Sequence, residues 1–142
     1  SLEWQNLTIL AKSKNVDDCF YTYGTVPNAR MKELYAINNF IILPTLAEAS
    51  TAVYPEAFIS KKVLLTSDID FARELCGNAA VFFDPLNAQD IAEKIVATLQ
   101  DQELQAQLIH NGLERVKNIY LTPQQKWLKQ KNILLNLIGN LK

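Results

Sequence analysis

Apolar positions along the first hundred residues change period several times, and that change predicts the architecture. Four short runs are near-continuous in apolar or β-favouring residues: Cys19–Tyr23, Phe40–Leu43, Val63–Thr66 and Ala80–Phe83. Runs of this length without alternation read as strands buried on both faces. Between them, helical spacing predicts helices at about Met31–Ile37, Ala52–Ser60 and Asp70–Cys76. The last has Ser67 and Asp68 as candidate N-caps and Gly77 as its stop. Strands alternating with helices over short connections indicate β-α units and a parallel sheet.

After Asp84-Pro85 the pattern is helical only. Ile91, Ile95, Val96 and Leu99 form one apolar stripe, Leu104, Leu108 and Val116 a second, and Trp127, Leu134, Leu137, Ile138 and Leu141 a third. At the other end, Trp4, Leu7, Leu10 and Ala11 make an amphipathic helix with no strand before it. A crossover helix normally follows a parallel strand, so one or more sheet strands are expected upstream of Ser1. The alternative is a helix that simply begins the fold. The expected class is therefore α/β: a Rossmann-like parallel sheet with helices on both faces, truncated on its N-terminal side, a β/α core over 1–100 and a helical tail over 101–142.

Composition narrows the class. With 142 residues, 49% of them apolar, four Gly and five Pro, the chain has material for one domain and lacks the marks of disorder or of a solenoid. No apolar run approaches the roughly 18 residues of a membrane span, and Ser1-Leu-Glu-Trp4 is unlike a signal peptide, so a cytoplasmic domain is expected. Cys19 and Cys76 form no C-x-x-C and read as reduced, packed cysteines, and the sequon Asn6-Leu7-Thr8 reads as chance. His110, in the helical tail, reads as a surface or packing residue, and Trp4 and Trp127 as core or docking residues.

Net charge is −1, yet no acidic residue follows Glu114, leaving Arg115, Lys117, Lys126, Lys129, Lys131 and Lys142. Functional readings of this basic tail are a membrane surface, nucleic acid or an acidic partner domain; the plainer one is a solvated helix face. Nucleic acid is not expected among the partners. Peripheral membrane contact through the last helix is retained.

Candidate chemistry concentrates at the strand exits, because parallel α/β sheets bind ligands at the carboxyl ends of their strands. Gly24-Thr25-Val26-Pro27 leaves the first run, with Gly24 allowing close backbone approach. Pro44-Thr45 leaves the second and Ser67-Asp68 the third. Glu48 and Glu56 bracket seven residues between the second run and the first turns of the next helix. A helix start offers unpaired N–H groups to a phosphate, and flanking carboxylates accept bonds from sugar hydroxyls. That combination suits a nucleotide sugar. The plainer reading is a pair of solvated carboxylates at a helix start.

The ordered series Tyr23-Gly24-Thr25-Val26, Leu34-Tyr35, Phe40-Ile-Ile-Leu-Pro44-Thr45, Glu48 through Glu56 and Ala57, Val63-Leu-Leu-Thr-Ser67-Asp68, Glu74, Gly77-Asn78-Ala79 and Asp84-Pro85 is specific in combination. It resembles the C-terminal, donor-binding half of retaining glycosyltransferases of the two-domain GT-B fold, group 1 (family 4-like), over residues 16 to 140. Glu48 to Glu56 is similar to the family's E-x7-E element, and Tyr54-Pro55-Glu56-Ala57 fits a subgroup with Y-P-E-A there. The family usually has G-F-G after the first Glu; here Ala49-Ser50-Thr51 removes two glycines from the phosphate loop.

The resemblance implies a part of a hexosyltransferase whose donor, a UDP- or GDP-sugar, is substrate rather than cofactor. By it, Glu48 is the catalytic residue beside the transferred sugar, and Glu56 accepts hydrogen bonds from the ribose. Gly24, Thr25 and Val26 line the base, backbone N–H groups around Thr51 and Ala52 meet the diphosphate, and Thr45 and Ser50 count among the donor-binding residues. It further implies an N-terminal acceptor domain and a basic pair, both on earlier sequence, so this chain alone is expected to be inactive. No metal is expected at this site. The alternative is a nucleotide-binding or interaction module that keeps the fold without transfer.

Overall fold

A computed structural model describes residues 2–48 and 51–139 of the chain. They form two compact units, Ser1–Met31 and Lys32–Lys142, whose boundary falls within helix α2, Asn28–Ile37. The first unit holds helix α1, Leu2–Ser13, followed by a 3-10 turn over Asp17–Cys19. Ala11 is buried, and Trp4, Leu7, Thr8 and Ala11 of α1 meet Asp17 and Phe20 around a small cavity.

The second unit is built on three parallel strands in the order β1 (Phe40–Leu43), β2 (Val63–Ser67), β3 (Ala80–Phe83). Phe40 lies opposite Val63, and Leu64 opposite Ala80. Helices α3 (Val53–Ile59) and α4 (Asp70–Cys76) make the two crossovers, and α5 (Ala88–Gln100), α6 (Gln102–Asn118) and α7 (Pro123–Gly139) follow.

The pleat sends alternate side chains to opposite faces. Leu64 and Ala80 join Tyr54, Ala57, Phe58, Ala72 and Cys76 in one core. Val63, Leu65 and Phe83 join Leu108 in the other, with Ile91 and Ile95 of α5 packed against them. All five residues of β2 are buried. Helices on both faces are thus observed as the unbroken apolar runs predict.

The run Cys19–Tyr23 is not a strand. Cys19 closes the 3-10 turn, and Phe20 to Tyr23 join no ladder; Tyr21 and Tyr23 stack edge to face at 5.2 Å instead. A strand exists through its pairing, and β-favouring residues without a partner do not form one.

Smaller departures have local causes. Neither Ser67 nor Asp68 caps α4: Ser67 ends β2, Asp68 grips Arg73, and Ile69 takes the N-cap position with no side-chain bond. In α5 the buried position is Thr98, whose hydroxyl donates to the Lys94 carbonyl at 2.6 Å, while Val96 and Leu99 of the expected stripe are exposed. Cys76 is buried, which pushes its thiol up to about 12, but Cys19 is exposed beside Asp18.

Gly77 does stop α4, at φ +54°, a conformation that costs a glycine little. Arg115 of α6 then reaches the end of α4, donating to the carbonyls of Leu75 (3.2 Å) and Glu74. One residue of the basic tail is therefore structural, and Lys117 pairs with Glu114 at 2.6 Å. Further along, Trp127, Leu134 and Ile138 of α7 are exposed, so they are not core residues of this chain.

Helix α6 approaches α3 so closely that Gly112 cannot carry a side chain. A Cβ there would stand 2.7 Å from Phe58 Cδ1 and 3.1 Å from Cγ, and Phe58 is itself buried. Gly112→Ala should therefore destabilise the fold, because an overpacking cost of about 1–3 kcal/mol exceeds a helix-propensity gain of about 1 kcal/mol. Urea unfolding checks this, and Phe58→Leu in the same chain should recover part of the loss.

Candidate functional site

The carboxyl ends of the three strands open onto Pro44-Thr45, Asp68 and Asp84. From the end of β1 into the first turn of α3 runs the segment that holds both glutamates. Glu48 and Glu56 are each half-buried, at its two ends. Pro55 sits in the first turn of α3, where its missing N–H costs no helical bond, and Glu56 donates its own N–H to the Ala52 carbonyl at 3.0 Å. Glu56 thereby stands at the head of a helix whose opposite side is anchored in the core by Tyr54, Ala57 and Phe58.

Tyr54 fixes that helix to the strand ends. Thr66 Oγ1 donates to the Leu43 carbonyl (3.2 Å), and the Tyr54 hydroxyl lies 3.1 Å from the same Oγ1. A threonine hydroxyl has one hydrogen, so with that hydrogen committed to Leu43 the Tyr54 hydroxyl is the donor to Thr66. The relay Tyr54 to Thr66 to Leu43 joins α3, β2 and β1. Burial raises the Tyr54 phenol above its ordinary value, against the hydrogen bond with Thr66, which lowers it.

Glu56 has a second anchor. Its Oε2 accepts a hydrogen bond from the Tyr35 hydroxyl of α2 at 2.9 Å. Burial, then the Glu56 carboxylate, pushes the Tyr35 phenol well above its usual range.

Of the other expected residues, Thr45 donates to the Ala47 carbonyl (2.9 Å), shaping a local turn, and Thr51 Oγ1 accepts from the Val53 N–H (3.1 Å) at the start of α3. Ala52 is the exposed N-cap of that helix, and Ser50 lies outside the described residues. Gly24, Thr25 and Val26 belong to the first unit. Gly24 has φ +62° with open space where a Cβ would stand, so it serves the turn rather than a close contact within the chain. His110 is exposed, as expected.

Sequence reasoning assigns no role to Tyr35, Tyr54 or Thr66. The available signal was chemical: a tyrosine on a helix face turned toward a core needs a partner for its hydroxyl. A second feature also went unread. Asp68 and Arg73 form a bidentate pair (2.5 and 2.6 Å), with Arg73 stacked 4.4 Å above the Phe82 ring. Arg73 holds the Asp68 carboxyl below its ordinary range. With Asp84, Asp90 and Lys94 they line an open groove of about 540 Å³.

Among the described residues no group of three or more His, Cys, Asp or Glu could hold a metal ion, and no helix is long and apolar enough to cross a membrane.

A sequence profile described as "Glycosyl transferases group 1" matches residues 3–115, which takes in every strand and both glutamates. The chain belongs to this family. Its fold is shared with a sucrose-phosphate synthase from Thermosynechococcus elongatus, at a TM-score of 0.83 and 19% identity over 99% of the chain. The chain spans 35% of that protein's length. No curated protein matches by sequence.

Within this glycosyltransferase domain the Tyr54 relay should contribute in a graded way. Tyr54→Phe removes one donor and should cost about 1 kcal/mol, whereas Thr66→Val strands both the Tyr54 hydroxyl and the Leu43 carbonyl and should cost about 2–3 kcal/mol. Chemical denaturation of the two variants gives the order directly.

Proposed function

We propose that this chain forms one wall of the donor site of a retaining hexosyltransferase that uses a nucleotide-diphosphate sugar, UDP- or GDP-linked. The observation that carries the reading is the placement of Glu48 and Glu56. Both are half-buried at the carboxyl edge of a parallel sheet, on either side of the α3 start, in a chain of the group 1 family.

Each residue then has a chemical task. The Glu56 carboxylate accepts hydrogen bonds from the ribose, and charge-assisted bonds of that kind are worth about 1.5–3 kcal/mol each. Glu48, beside the transferred sugar and the reacting phosphate, supplies negative charge where the sugar becomes electron-poor as the diphosphate leaves. The backbone N–H groups around Thr51 and Ala52 meet the diphosphate, aided by the Thr51 hydroxyl, whose oxygen is already oriented by Val53. Thr45 also belongs to the donor site. Thr45 presents lone pairs and backbone, since its proton is given to Ala47. Leaving-group neutralisation falls to a basic pair on an earlier segment, and the acceptor to an N-terminal domain earlier still in the same protein, so the chain by itself is inactive.

In the full-length protein, Glu56→Ala should raise the donor KM by roughly 10- to 100-fold. Glu48→Ala should lower kcat by about a hundredfold or more with a smaller change in KM. Initial rates over a donor series, with the product anomer followed by NMR, test both. Unchanged rate and affinity in both variants would remove these residues from the site, and a parent that binds no nucleotide sugar would favour a non-catalytic module of the same fold.

A further inference from the structure

We propose that Tyr35 is a positioning residue that fixes the plane of the Glu56 carboxylate and thereby sets selectivity for a ribose carrying both its 2′ and 3′ hydroxyls. The inference rests on the donor-site reading of Glu56. Tyr35 is a buried residue near the end of α2, and its hydroxyl donates to Glu56 Oε2 at 2.9 Å across 21 residues of sequence. The same end of α2 is tied a second time: Lys62, just beyond α3, donates from Nζ to the Ala36 carbonyl at 3.3 Å. The phenol is therefore carried on an element held at two adjacent residues. Its protonated form is favoured by burial and by the Glu56 charge, so it stays a donor throughout the neutral range.

The consequence follows from carboxylate geometry. A carboxylate offers about four lone-pair directions on two oxygens. Tyr35 occupies one on Oε2, leaving Oε1 and the second direction of Oε2 to face a ligand. A vicinal cis-diol presents two hydroxyl hydrogens a fixed distance apart, and it can engage both oxygens only if the carboxylate plane is set beforehand. A free glutamate side chain rotates about three bonds and must be ordered on binding. Tyr35 orders it in advance. The benefit is specific to a ligand that uses both oxygens, so Tyr35 contributes selectivity rather than general affinity.

The test titrates the full-length protein with uridine and guanosine diphosphates and with their 2′,3′-dideoxy analogues. Tyr35→Phe, Glu56→Ala and the double variant are measured alongside the parent. Removing one buried hydroxyl keeps the ring and its packing, and a far-UV circular dichroism spectrum superposable on that of the parent checks this. Tyr35→Phe should weaken the ribonucleotide about three- to tenfold while leaving the dideoxy analogue within about twofold. Glu56→Ala should abolish the preference for the ribonucleotide, and the double variant should be no weaker than Glu56→Ala alone. Equal loss of both nucleotides in Tyr35→Phe would assign the tyrosine a merely structural role and overturn the proposal. So would an unchanged preference in Tyr35→Phe when Glu56→Ala loses it, with the role of Glu56 then left standing. If Glu56→Ala keeps the full preference, the donor-site reading itself fails and this inference fails with it.

Discussion

A central parallel strand has to be covered on both faces, and in this chain that requirement falls on β2. All five of its residues are buried, with Leu64 and Thr66 on the side of α3 and α4, and Val63 and Leu65 on the side of α5 and α6. Burial of apolar area at about 25 cal/mol per Å² is the main driving term, but a polar side chain in a strand this enclosed has only protein groups to bond. Thr66 finds them in Tyr54 and the Leu43 carbonyl, whereas the Ser67 hydroxyl at the strand's end is buried without one among the described residues. The bond that satisfies the core also sets α3 against the strand ends, where a ligand of such a sheet would lie. Packing and site geometry therefore share one polar relay.

What could be read from sequence divides along physical lines. The strands Phe40–Leu43 and Ala80–Phe83 were legible to the residue because an unbroken apolar run between turn signals has one good solution. Gly77 was legible as a helix stop because a positive φ favours glycine. Cys19–Tyr23 was misread because β-propensity reports how a residue fits a paired surface, and pairing is a property of the fold rather than of the segment. Thr98 was missed since hydropathy counts its hydroxyl as polar, although in a helix that hydroxyl can bond the preceding turn and be buried.

For the site, the glutamate spacing was legible, whereas the residues that hold it were not. Tyr35 and Glu56 are 21 positions apart, and no local periodicity links them. Arg115 shows the same limit, since it reads as one more charge in a basic tail and in fact closes the end of α4. Long-range polar contacts of this kind depend on how elements pack. They fix the relative placement of the side chains they join, which no local pattern encodes.

The central claim is that Glu48 and Glu56 face a bound nucleotide sugar. A crystal structure of the full-length protein with a nucleoside diphosphate tests it most directly. Ribose hydroxyls are expected within hydrogen-bond distance of the Glu56 carboxylate while Tyr35 keeps its bond to Oε2, with the diphosphate against the start of α3 and Glu48 beside the terminal phosphate. A nucleotide seated elsewhere, for example in the groove of Asp68, Arg73 and Asp90, with both glutamates turned to solvent, would contradict it.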